Sequence, residues 1–247
     1  MFKRPIHNIL TGLGMLGVFC FGWWCWYVFD GSDKAEQRAI EAAEEYVHVT
    51  YPDLSLHVAD VMYLSLYDPK YYVTMTSRTS TDTEFVIRIT RSGKVVDDSY
   101  EEDVVSKEHT HQRISDAYNA AVQQFIAPSF SDRIDFMAEL PRSTWSDDVE
   151  LGVDTNDLQI DQPVDVEFYG ARYGLLFLHA EDQSYTFEEV MRLLRDVKRV
   201  ADENSVPFHA ITLQITVDGI ERYAEGIQYS DLDSPHLLAR LKQRLND

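Results

Sequence analysis

The feature that most constrains this chain is the run Ile9 to Phe29, ILTGLGMLGVFCFGWWCWYVF. It is 21 residues long, carries no charge, follows Lys3 and Arg4 and precedes Asp30. As a helix rising ~1.5 Å per residue it covers ~31 Å, about one bilayer core. The run ends in Trp23, Trp24, Trp26 and Tyr27, which block signal-peptide cleavage and suit the membrane–water interface. Bulky Phe19 and Trp24 precede Cys20 and Cys25, which argues against lipidation. The pattern predicts one uncleaved, single-pass transmembrane helix over 9–29 in the cell membrane. Basic flanks stay inside, so 1–8 is expected in the cytoplasm and the rest outside.

The charge balance then falls on one side. Beyond the run lie 20 basic and 42 acidic residues, a formal −22. An exposed surface this acidic repels nucleic acid and anionic headgroups, so neither DNA nor RNA is expected as a partner. Weak, non-specific divalent-cation binding is the expected consequence. Both cysteines lie inside the run, so the outer part has no disulfide framework. No N-x-S/T sequon occurs there either, a composition that fits the outer face of a Gram-positive bacterium.

The outer part reads as α+β: two small domains of antiparallel sheet with packed helices, at 33–107 and 108–247, after a tether at 30–32. In the first domain, Asp33 with Glu36 suggests a capped helix carrying Ala35, Ala39, Ile40, Ala43, Tyr46 and Val47 at helical spacing. Tyr51-Pro52-Asp53 stops it. Strands are expected at Ser55–Leu66, Tyr71–Ser77, Glu84–Thr90 and from Val95, with a turn at Ser92-Gly93-Lys94. The acidic run Asp97 to Asp103 reads as a solvated strand end and linker.

In the second domain, Thr110 is expected to cap a helix with Ile114, Ala117, Tyr118, Ala121, Val122 and Phe125 on its stripe, ended by Pro128. Phe136–Leu140, Val164–Phe168 and Tyr173–His179 read as strands, and Thr144–Gln162 as loop with short strands. Thr186 with Glu189 forms a capping box for a helix expected to bury Phe187, Val190, Met191, Leu194, Val197 and Ala201. Ala210–Val217 and Ile220–Tyr229 flank an Asp218-Gly219 hairpin turn. Ser234-Pro235 opens the last helix, with Leu237, Leu238, Leu241 and Leu245.

No catalytic, cofactor or metal residue emerges. Asp154-Thr155-Asn156-Asp157 begins like an EF-hand, but Gln159 and Asp165 occupy the places that need Gly and Glu. His109 and His111 lack the further ligands zinc requires and read as exposed linker histidines. His57, His179 and His209 are isolated at strand positions. No nucleophile elbow, P-loop, H-E-x-x-H or dinucleotide fingerprint occurs. The expectation is a non-enzymatic binding or accessory module with an unidentified protein partner. An envelope-acting hydrolase, its site not visible as a motif, is the competing class.

One resemblance adds to this reading. The stretches Ala42–Val47 with Tyr51-Pro52-Asp53, Val61-Met62-Tyr63, Tyr72-Val73 and Phe85-Val86-Ile87 resemble the first domain of the YfjL-like proteins. Thr186–Val217 looks like their second domain. The resemblance implies a membrane-anchored protein of low-GC Gram-positive bacteria. The helix-then-strands order is also similar to PepSY-type and cystatin-like modules, which are often inhibitory or interaction domains. The resemblance supplies no site residues.

Overall fold

The computed structural model describes residues 21–22, 32–64, 69–143 and 152–245. The expected span at 9–29 lies outside these, save for Phe21 and Gly22, which are helical. Among the described residues no helix is long and apolar enough to cross a membrane. The chain divides into two compact units, Met1–Val105 and Ser106–Asp247, and each is α+β.

In the first unit, helix α1 (Asp33–Thr50) buries Ala35, Ala39, Ala43 and Val47. The i, i+4 spacing puts them in one line, and the small alanines let the helix lie close to the sheet. Its N-cap is Ser32, whose carbonyl accepts from Ala35 and Glu36 N–H. The expected Asp33–Glu36 box is therefore not formed: both acids lie in the first turn, where they complement the helix dipole. The Tyr71 hydroxyl donates to Ser32 O and accepts from Ser32 N, fixing the helix start to the sheet. Pro52 follows the C-cap, Tyr51.

Strands β1 (Leu56–Leu64), β2 (Lys70–Ser77), β3 (Glu84–Thr90) and β4 (Val95–Asp98) form an antiparallel meander in the order β1-β2-β3-β4. The alternating positions Tyr71, Val73, Met75 and Phe85, Ile87, Ile89 are buried beneath α1. Burying each is worth ~1.5–3 kcal/mol, which is why register is fixed here. Gly93, at φ +86°, makes the β3–β4 turn. A bulge interrupts β1 between Val58 and Asp60.

In the second unit, α2 (Glu108–Phe125), β5 (Asp135–Glu139), α3 (Val166–Tyr173), β6 (Leu175–Tyr185), α4 (Phe187–Glu203), β7 (Ala210–Val217), β8 (Ile220–Gln228) and α5 (Leu237–Arg244) follow in order. The sheet order is β5-β6-β7-β8. The sheet is mixed, which corrects the expected all-antiparallel one. β6 and β7 run parallel because α4 carries the chain back to the same end; the other pairs are antiparallel. The core gathers Phe136, Leu176, Leu178, Ile211, Leu213 and Ile215 with Tyr118, Val190, Leu194 and Leu241 from the helices.

Several expectations give way. Val164–Phe168 is not a strand. The Asp165 side chain accepts from Phe168 N–H and starts α3 instead. Thr110 does not cap α2. Lys107, at φ +60°, turns the chain, and the helix begins at Glu108 with Thr110 buried inside it. Phe125 is exposed rather than on the buried stripe. The Thr186–Glu189 capping box forms, both halves present. Asp218 and Gly219, at φ +50° and +80°, make the β7–β8 turn. Ser234 Oγ accepts from His236 N–H, and α5 proper follows at Leu237.

Candidate functional site

The acidic run Asp97 to Asp103 begins as the end of β4, and Glu101 and Glu102 are exposed as a solvated strand end and linker would have them, but Asp97, Asp98 and Asp103 are engaged. Asp98 Oδ2 accepts from the Tyr46 hydroxyl at 2.5 Å and from the Tyr51 hydroxyl at 3.1 Å. Asp98 Oδ1 also accepts from Tyr100 N–H at 2.9 Å. One carboxylate thus joins the end of α1 to the end of β4. Burial first, then the Asp98 charge, pushes the Tyr51 hydroxyl well above its usual titration range. Tyr46 moves the same way for the same reasons. The Tyr51 ring stacks on Tyr100 at 4.4 Å and meets Phe85 edge-on at 5.5 Å. Asp97 pairs with Arg88, and Asp103 accepts from Ser99. Glu101 to Val105 form one π-helical turn. Phenols this hard to ionise, around a committed carboxylate, make a joint rather than an acid–base pair.

The histidines fall apart from one another. His111 is buried on α2, where Nε2–H donates to Leu140 O at 2.9 Å; it is neither a linker residue nor exposed. Burial holds its pKa below the usual value despite that bond. His109 is half-buried on the same helix. His57 Nε2 lies 3.4 Å from Thr76 Oγ1. His179 sits on β6, across from Asp135 of β5. His209 lines a cavity of about 290 Å³ with Pro207 and Tyr229. Asp154 accepts from Asn156 N–H and caps a short 3-10 turn, Thr155–Asp157. Among the described residues, no three His, Cys, Asp or Glu side chains cluster to hold a metal.

Two larger clefts exist. One of about 360 Å³ lies at the start of α4, lined by Arg133, Ser184, Tyr185, Glu189 and Arg192. Its polar groups are committed: Ser184 Oγ accepts from Gly219 N–H, and Glu189 closes the capping box. Burial raises the Tyr185 hydroxyl, so it stays protonated near neutrality. Among the described residues no histidine or cysteine lines the cleft. A second, of about 350 Å³, runs along the end of α1 between His48, Tyr51, Leu56 and Met75.

The sheets offer more surface than the clefts. In each unit the helices cover one sheet face. On the opposite face of the first sheet, Met62 is 52% exposed and Leu64 44% exposed, opposite Tyr72 and Lys70 of β2. On that of the second, Met137 is 57% and Tyr223 54% exposed.

The edges differ from one another. Along β5, the α2 side chains Ser115 and Asn119 accept from Leu140 and Ala138 N–H, and Gln123 donates to Phe136 O. These three stand four residues apart on one helix face, and His111 extends the row. Along β8, Arg244 of α5 donates to Glu225 O and Gly226 O. No sequence signal marked these seals, because a polar row on a helix reads as its solvent face. Among the described residues no side chain is hydrogen-bonded to the backbone of β1.

Comparison of the chain with protein-family models, with characterised proteins and with solved structures yields no match.

Proposed function

We propose that this chain is a non-enzymatic binding module held at the outer face of the cell membrane by the 9–29 segment. The observation that supports it is the sheet face that no helix covers among the described residues of each unit, where Met62, Leu64, Met137 and Tyr223 are exposed. Met62 and Leu64 stand together on one strand, an apolar pair that a partner can cover, whereas Met137 and Tyr223 lie on opposite edge strands of their sheet. In the cleft at the start of α4, Ser184 and Glu189 are spent on backbone N–H groups, which weakens the envelope-hydrolase reading there.

Photo-crosslinking in intact cells tests this. A benzophenone side chain at Met62 or Tyr223 is expected to give discrete protein adducts. The same probe at Glu41 or Arg199, exposed on helices, is expected to give none. Equal labelling at all four positions, or none at any, contradicts the reading. Protease shaving of the same cells is expected to remove the acidic part and leave a short membrane stub. Survival of the full chain contradicts the orientation.

A further inference from the structure

We propose that strand β1 is a receptor edge, to which an extended, basic segment of a partner protein adds as a fifth strand beside Asp60–Leu64. The proposal rests on the binding-module reading and names the surface and chemistry involved.

The four sheet edges carry the argument. A bare edge strand is a template for pairing, and proteins blunt it with side-chain caps, lysines, bulges or short length. Ser115, Asn119 and Gln123 close β5, and Arg244 closes β8. β4 is only four residues long. β1 is nine residues long with a bulge that blunts its first part, and the five residues beyond it carry no lysine and have a backbone uncapped by side chains among the described residues. The bulge at Ala59 marks where the receptive ladder begins, leaving Asp60 to Leu64 in regular register with Thr74 to Lys70.

The faces extend the match. Met62 and Leu64 point away from α1, and Val61 and Tyr63 pack toward it. A strand laid beside β1 places alternate side chains on Met62 and Leu64, so apolar residues at every second position gain contact.

Charge selects the occupant. Residues 32–105 hold seven basic and fifteen acidic side chains, a formal −8. Asp60 is exposed at the head of the ladder. A second copy of this chain brings the same −8 and is repelled; a strand with lysine or arginine between its apolar residues is attracted.

The test uses the full-length protein in detergent micelles. The probes are capped hexapeptides alternating lysine with valine, glutamate with valine, and a lysine–valine version with a central proline. The readouts are hydrogen–deuterium exchange and fluorescence anisotropy, titrated to millimolar peptide. The lysine–valine peptide is expected to slow exchange in Leu56–Leu64 and not in β5 or β8. The glutamate and proline peptides are expected to leave β1 unprotected. Asp60→Lys and Met62→Lys, both at exposed positions, are expected to weaken binding about tenfold without lowering the melting temperature. Absence of β1 protection, or equal protection by all three peptides, overturns the proposal. Protection that rises with protein concentration alone assigns the edge to a second copy and also overturns it. Crosslinks from Met62 without peptide protection of β1 remove strand addition but leave the binding module. No crosslink anywhere removes both.

Discussion

The Tyr51 hydroxyl and Asp98 Oδ2, 47 residues apart in the chain, meet at 3.1 Å. The bond ties the residue that ends α1 to the residue that ends β4. Tyr46 reaches the same oxygen from one helical turn earlier. Asp98→Ala is expected to lower the stability of the first unit by about 2–3 kcal/mol, because two phenols and the Tyr100 N–H lose a charged acceptor. Tyr46→Phe is expected to cost about 1 kcal/mol, and the double variant less than the sum. Denaturant melts followed by tyrosine fluorescence check both. Additive losses contradict a shared joint.

Alkaline pH is expected to unfold the protein. Tyr51 and Tyr118 both have pKa values raised by burial in the folded state. A raised folded pKa gives stability that is whole below about pH 10, the unfolded value, and is lost as pH climbs toward the folded one. Absorbance at the tyrosinate band is expected to rise in two phases, the second coinciding with loss of circular dichroism. A single phase with the fold intact contradicts this.

Mild acid acts on the second unit through His111. Its folded pKa is depressed, chiefly by burial. Its contribution is therefore present above about pH 6.5 and lost as pH falls through the folded value. His111→Phe is expected to flatten the stability profile of the second unit over that window. An unchanged slope assigns the acid sensitivity to other groups.

Gly170→Ala is expected to destabilise the second unit by about 1–3 kcal/mol. A Cβ there meets the Tyr118 ring at 2.8 Å and crowds the Pro207 carbonyl even more closely. Neither neighbour yields easily, since Tyr118 is fully buried and donates to Pro207 O. A thermal melt of the variant decides it.

Calcium is expected to act only as a screening ion. Asp97, Asp98 and Asp103 are engaged with Arg88, the tyrosines and Ser99, so the run does not present a free oxygen cage. Titration at fixed ionic strength is expected to give a small, unsaturated rise in melting temperature. A saturable micromolar transition contradicts it.

The elements that were legible in the sequence had strictly local determinants. Thr186 and Glu189 cap α4 from within its own first turn, and Asp218-Gly219 adopts the left-handed pair its hairpin needs. Val164–Phe168 misled because its alternating apolar residues fit a strand as well as a helix start, and Asp165 decided between them by capping Phe168. Within the acidic run Asp98 misled for another reason: what it does is set by Tyr46 and Tyr51, about fifty residues away. That β1 carries no side-chain cap among the described residues was equally hidden. It is defined by what the other edges possess, and Ser115, Asn119 and Gln123 meet β5 only once both are folded.

That row on α2 also orders events during synthesis. A ribosome delivers residues 108–125 before residues 135–139. The helix that guards β5 is thus available before the strand it guards has emerged. The contacts between them span only 13 to 29 positions, a short loop to close. A circular permutant that places Glu108–Phe125 last reverses the sequence of arrival and leaves β5 unguarded on the nascent chain. Such a permutant keeps every native contact and is expected to aggregate during expression, yet to refold normally from dilute denaturant.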